Sequence, residues 1–156
     1  MDGTLVGSYR RGAADSGDID VLLLGGTRAG QDKFKQLVTE LKDSYILETL
    51  ASGPKKFMGI CQLDDGHPAR RLDLLLTPPE EYACAIFYFT GSQAFNIAVR
   101  KRALELGYTL NEHALTSLDA APPPPVMKTE RDIFEFLKIK YVSPENRVDE
   151  NSLQYV

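Results

Sequence analysis

A chain of 156 residues, 43% hydrophobic and 26% charged, is long enough for one packed core or two small lobes and too apolar to stay disordered. Its formal charge of −4 argues mildly against nucleic-acid binding, yet the cations are clustered as Arg10-Arg11, Lys55-Lys56, Arg70-Arg71 and Arg100-Lys101-Arg102. No apolar run approaches the ~20 residues of a bilayer span, no basic-then-apolar leader opens the chain, and the isolated Cys61, Cys84, His67 and His113 lack disulfide or zinc spacing. Neither membrane insertion nor secretion is expected, and a reducing compartment is.

In chain order, Gly7-Ser8 breaks a short apolar start, and Ser8 is expected to cap a short helix through about Ala14. Asp18 to Leu24 reads as a strand stopped by Gly25-Gly26. Phe34, Leu37, Val38 and Leu41 recur at helical spacing and predict a helix over Gln31 to Lys42. Strands are expected over Tyr45 to Leu50, Lys56 to Leu63 and Arg70 to Leu76, the last two joined by an Asp64-Asp65-Gly66 turn. Glu80 to Thr90 is apolar nearly all round, which predicts a buried helix. Ser92 caps a second helix to about Leu106, short strands follow in Tyr108 to Leu118, and Pro122 to Pro125 is a stiff connector. Thr129 with Asp132 forms a capping-box start for a last helix, and the polar tail from Ser143 is expected to fray. A strand-rich half to about residue 78 thus precedes a helical half, with Pro78-Pro79 between them.

The chemistry concentrates in GSYRRGAADSGDID, residues 7 to 20. Strand alternation puts Asp18 and Asp20 on one face, about 7 Å apart, an arrangement that is costly unless a cation lies between them. Hard oxygen donors favour Mg²⁺ or Mn²⁺. In RRLDLLL, residues 70 to 76, Asp73 shares a face with Arg71 and opposes Leu72 and Leu74. If the two strands are neighbours, Asp73 becomes a third carboxylate, enough for a two-metal phosphoryl-transfer site. Ser8, a helix start and two arginines can then grip phosphates, with Gly7 and Gly17 allowing close backbone approach. A lone Asp-x-Asp is commonly surface decoration; Gly-Ser ahead of Gly-Asp-x-Asp is what favours chemistry. Asp64, Asp65 and His67 are better explained as turn residues.

GSYRRG with SGDIDVLL, RRLDLLL, YFTGS at 88 to 92, FN at 95 to 96, NEHAL at 111 to 115 and the YVSPENR ending together resemble the family X DNA polymerases over nearly the whole chain. YFTGS is the most specific of these pieces. The resemblance implies an α+β fold: a nucleotidyltransferase palm over 1–78 with a mixed sheet and flanking helices, then a mainly helical thumb over 79–156. The lyase and helix-hairpin-helix parts of the cellular members are not expected in these residues.

By the same resemblance, Asp18 and Asp20 would bind both of two Mg²⁺ ions (Mn²⁺ able to substitute), and Asp73 the catalytic one near the primer 3′-hydroxyl. Ser8, Arg11, Ser16 and Gly17 would contact the triphosphate of a dNTP. Tyr88, Phe89 and Gly91 would lie beside its sugar, and Asn96 at the minor-groove edge of its base. Arg71 would approach the primer terminus and Arg100 the template strand. Position 97 is Ile where the family often carries a basic residue. The implied function is templated addition of dNMP to a primer, in gap-filling base excision repair of DNA, by a monomer that is nuclear in a eukaryote or cytoplasmic otherwise. The alternatives are a template-independent nucleotidyltransferase, terminal-transferase-like or of the small antitoxin type, and a non-catalytic nucleic-acid-binding module keeping the fold.

Overall fold

The computed structural model describes residues 1–156. Five strands form one mixed sheet: β1 (Gly3–Leu5), β2 (Asp18–Leu24), β3 (Ile46–Ser52), β4 (Lys56–Cys61) and β5 (Arg70–Thr77), in the spatial order β1-β2-β5-β4-β3. Only β2 and β5 run parallel; every other pairing is antiparallel. Alternation then decides the layers. Leu23 from β2 and Leu72, Leu74 and Leu76 from β5 meet Phe34 and Val38 of α2 (Arg28–Ser44), with Ile19 and Val21 packed alongside. α2 begins before the apolar repeat does because the Thr27 side chain accepts from the Gly30 N–H, a cap that needs no apolar residue beside it.

The opposite sheet face buries Leu22 against Val6 and against Ala85 and Ile86 of α3 (Tyr82–Thr90). α3 also turns Ala83, Cys84 and Phe87 into a third core. This core is built with α4 (Gln93–Glu105), a hairpin of β6 (Tyr108–Leu110) and β7 (Leu115–Ser117), and α5 (Glu130–Phe136). A helix apolar on all sides is thus shared by both halves of the chain. Phe87, Phe95 and Phe134 interlock at the centre, with ring centroids 5.5–6.3 Å apart. Each such buried side chain contributes about 1.5–3 kcal/mol from area alone. Ser92 caps α4 by accepting from the Phe95 N–H, and Thr129 with Asp132 closes the predicted capping box on α5. No helix is long and apolar enough to cross a membrane.

Two expectations are corrected. The first helix, α1, spans only Gly7–Arg10, and Ser8 does not cap it: Val6 stands at the cap, with no side-chain hydrogen bond. The tail does not fray. It carries 3-10 turns at Pro144–Asn146 and Glu150–Ser152, and Tyr155 bridges back to Ile139. Its anchor is Arg147, only 1% exposed, whose Nε donates to the Val142 carbonyl. Polar composition hid this because the partners of that guanidinium lie elsewhere in the sequence.

Candidate active site

The parallel pairing of β2 with β5 sets Asp20 directly beside Asp73, with Asp18 opposite Arg71. Adjacent strands lie about 4.8 Å apart, so Asp20 and Asp73 are close neighbours on one face. Asp18 lies two residues back along the same face. Burial, then the charges of Asp73 and Asp18, raise the Asp20 pKa above its ordinary 3.8; Arg71 and Arg11 oppose this only partly. Asp20 is packed so closely that a Cβ on Gly7 would fall 2.4 Å from its Oδ2. Gly7 also has φ +66°, so both space and backbone demand glycine there.

The three carboxylates are neighbours by register without forming a closed ligand set, since no three His, Cys, Asp or Glu side chains are gathered as a metal cluster. At Asp73 the competitor is Arg71, whose Nε donates to Oδ1 at 3.0 Å. The donor chemistry nonetheless suits a hard divalent ion: three carboxylates on one strand pair, one of them with its proton affinity raised by burial and then by the other two.

Beside this face runs the loop from Arg11 to Gly17. The Ser16 hydroxyl donates to the Asp18 carbonyl at 2.9 Å and pairs with the Ser8 hydroxyl at 2.7 Å. With its only proton committed, Ser16 must accept from Ser8 in that pair. The backbone N–H groups of Ser16 and Gly17 find no acceptor within the chain. A Cβ on Gly17 would meet nothing within 4 Å, so packing does not require glycine at this position. Arg11 reaches across to donate from Nη1 to the Thr90 carbonyl at 2.6 Å.

That contact brings in the predicted thumb residues. Tyr88 and Phe89 are half-buried and meet edge to face at 5.2 Å. Gly91, at φ +70°, precedes a cis peptide to Ser92. Asn96 is buried, its Nδ2 donating to the Tyr88 carbonyl at 2.7 Å while its Oδ1 has no partner. Its amide therefore ties α4 to the aromatic pair. Arg100 lies with Ile97, Lys101 and Leu104 along an outer groove of about 380 Å³. An apolar cavity of about 420 Å³, walled by Ile19, Tyr45, Leu63 and Leu72, contains none of the predicted site residues and opens on the sheet face away from the carboxylates.

Sequence reasoning missed three participants. Arg70 donates from Nη1 to the Ser16 carbonyl at 2.6 Å. Thr90 receives both arginines of the doublet, Arg11 at its carbonyl and Arg10 at its Oγ1 at 2.7 Å. Glu130 binds Arg10 through both carboxylate oxygens and Arg147 at 2.6 Å. The paired arginines were the available signal for Arg70; Arg10, read with Arg11 as a phosphate grip, is instead held by Glu130 and Thr90, and nothing local marked either of those.

Comparison with known proteins covers both halves of the chain. The family model for the DNA polymerase beta palm matches residues 1–79, and that for the DNA polymerase beta thumb matches residues 85–148. DNA polymerase lambda of Rattus norvegicus is 35% identical, over 90% of this chain and 28% of its own length. DNA polymerase lambda of Arabidopsis thaliana is 28% identical over 90% of this chain and 31% of its own length. DNA polymerase IV of Saccharomyces cerevisiae is 34% identical over 69% of this chain and 18% of its own length. The chain thus spans less than a third of the length of these relatives.

Proposed function

Because the chain belongs to family X of the DNA polymerases, we propose that it transfers dNMP from a dNTP to the 3′-hydroxyl of a primer in gapped duplex DNA. The single observation that carries this reading is the in-register pairing of Asp20 with Asp73, with Asp18 on the same face. In the reaction, the primer oxygen bonds to the α-phosphorus and the bond to the bridging oxygen breaks, releasing pyrophosphate. Asp18, Asp20 and Asp73 would hold two Mg²⁺ ions. Bound there, such ions supply Lewis acidity that lowers the primer hydroxyl's pKa and neutralises triphosphate charge.

The rest is done by the chain's own groups, chiefly by placement. The free N–H groups of Ser16 and Gly17 and the Arg11 guanidinium form the donor set for the β- and γ-phosphates, and the Ser8 hydroxyl would join it by turning its proton from Ser16 to a phosphate oxygen. Arg71 stands on Asp73, where a primer end would be received. Tyr88, Phe89 and Gly91 lie where the sugar would rest, and the link from Asn96 to Tyr88 couples that floor to α4. Arg100, beside exposed Ile97, faces a template strand. A role in DNA repair follows from the gapped substrate.

The test is extension of a gapped duplex with Mg²⁺ and four dNTPs, run beside a template-free primer. Asp73→Ala should abolish transfer while leaving the fold intact. Equal turnover in variant and parent would remove the three-carboxylate site, and extension of the template-free primer alone would assign the chain to terminal transfer.

A further inference from the structure

Arg70 is the first residue of β5, exposed, and next to the site residue Arg71. Alternation sends the two side chains to opposite faces, so Arg70 is not part of the carboxylate face. It is committed instead to one contact, from Nη1 to the Ser16 carbonyl at 2.6 Å. That carbonyl belongs to the loop carrying Ser16 and Gly17, which has few other ties. Arg11 at its start reaches the Thr90 carbonyl, Gly12 and Ala13 bond back into α1, the Ser16 hydroxyl bonds forward to Asp18, and Ser8 meets Ser16. Arg70 supplies the loop's one side-chain tether from another strand.

The peptide geometry gives this tether a direction. The Ser16–Gly17 bond is trans, and in a trans peptide the carbonyl and the following N–H point opposite ways. When Arg70 holds the Ser16 carbonyl, the Gly17 N–H is turned away from Arg70, with no acceptor of its own. Nothing outside its chain neighbours lies within 4 Å of where a Gly17 Cβ would stand. A free backbone donor at a glycine that packing does not require is suited to a phosphate oxygen.

We propose that Arg70 is a positioning residue for the nucleotide: by gripping the Ser16 carbonyl it fixes the Ser16–Gly17 peptide plane so that the Gly17 N–H is presented to the triphosphate. The inference rests on the nucleotide-site reading above. Arg70 touches no substrate atom in this role, and it leaves DNA affinity alone.

The experiment follows the Gly17 amide of ¹⁵N-glycine-labelled protein by NMR while inorganic tripolyphosphate, and separately a dNTP, is titrated in. Parent, Arg70→Ala, Arg70→Lys and Lys140→Ala are compared, the last removing an equal charge elsewhere. In the parent the Gly17 resonance should shift with ligand. Arg70→Ala should weaken that response about five- to tenfold, the scale of one charged hydrogen bond partly screened by solvent. Arg70→Lys, which can still donate to the carbonyl, should recover much of it, and Lys140→Ala should match the parent. In gap filling, KM for the dNTP should rise by a similar factor with kcat within about twofold.

A parent that responds while Arg70→Ala responds equally overturns the role of Arg70 and leaves the nucleotide site standing. A parent whose Gly17 amide ignores both ligands removes the site reading, and this inference with it. If Arg70→Ala leaves nucleotide affinity unchanged but lowers the log–log salt slope for gapped DNA by about one, Arg70 is a DNA phosphate contact and the proposal is wrong. Thermal unfolding of each variant accompanies the titrations; a Tm loss in Arg70→Ala that Arg70→Lys does not recover, with the Gly17 response lost in both, would assign Arg70 to strand stability instead.

Discussion

Replacing Glu130 with Gln keeps the shape of the side chain and removes one charge. That carboxylate is 9% exposed and is the shared acceptor of Arg10, from α1, and Arg147, from the tail. Arg147 has no exposed side-chain surface, and its Nη2 has no hydrogen-bond partner. Its guanidinium is held over the rings of Phe87, Phe134 and Tyr141 at 5.3–5.8 Å. Aromatic faces soften the cost of a buried cation by about 1–2 kcal/mol and do not replace a counter-charge. In Glu130→Gln two guanidinium groups would converge on a neutral amide that can accept at only one atom. Breaking a buried pair from one side costs about 3–5 kcal/mol. For a chain of this size each kcal/mol is worth about 2–4 °C in Tm, so a fall of about 10 °C is expected.

The assay is thermal unfolding by circular dichroism across pH. Burial alone would raise the Glu130 pKa, but its bonds to Arg10 and Arg147 outweigh burial and hold it below the ordinary 4.5. A carboxylate depressed on folding stabilises above its unfolded pKa and loses that contribution as pH falls through the folded value. The parent should therefore weaken from about pH 4.5 downward through this group, and Glu130→Gln should lack that component. A Tm within about 2 °C of the parent at pH 7, or an unchanged acid limb, would refute the assignment of Glu130 as the required counter-charge.

Asp20→Asn should raise Tm by a few degrees at neutral pH while abolishing transfer, as the folded pKa of Asp20 is raised above 3.8 and its ionised form disfavours the fold as pH climbs past that value. Mg²⁺ should raise the Tm of the parent more than that of this variant, measured by unfolding across a metal titration. Gly17→Ala should leave Tm unchanged or slightly higher, because its Cβ meets nothing, yet weaken dNTP affinity severalfold by calorimetry. Anisotropy of a gapped duplex across a salt series should give a log–log slope of about −3 to −4, since Arg71 and the Arg100-Lys101-Arg102 cluster can neutralise only a few phosphates; nanomolar affinity at physiological salt would contradict it.

The sheet and the carboxylate face were legible because alternation is a local code. Leu72, Leu74 and Leu76 on one side of β5 forced Asp73 to the other, and the same rule put Asp18 and Asp20 together on β2. α3 was legible as buried because it has no polar stripe, though only the fold reveals that it serves two cores. Ser8 was misread because a serine beside a glycine looks like a cap. Here α1 already begins at Gly7, whose φ of +66° is left-handed, so the cap position falls on Val6 and the Ser8 hydroxyl pairs with Ser16. The tail was misread because polarity reports a mean environment, whereas one guanidinium paired to Glu130, 17 positions away, decides whether that segment is held.

The arginine doublet illustrates why a motif can carry more than one task. Successive residues on a helix point about 100° apart, so Arg10 and Arg11, at the end of α1, cannot address the same partner with the same atoms. Arg10 enters the buried charge network and binds the Thr90 hydroxyl; Arg11 stays nearer the site and binds the Thr90 carbonyl. Thr90 ends α3, where unpaired carbonyls give the helix terminus negative character and cations are favoured. The doublet therefore joins the segment that offers phosphate donors to the helix shared by both cores, one residue before Gly91. Arg10 is bound to that joint through a carboxylate and a hydroxyl, but Arg11 through a carbonyl alone. A triphosphate would offer Arg11 full anionic charge, a stronger acceptor than a neutral carbonyl. Ligand binding should therefore release the Arg11–Thr90 contact first and leave Arg10 in place. An Arg11→Ala chain should keep its Tm while an Arg10→Ala chain loses stability, a division of labour that sequence adjacency alone would not suggest.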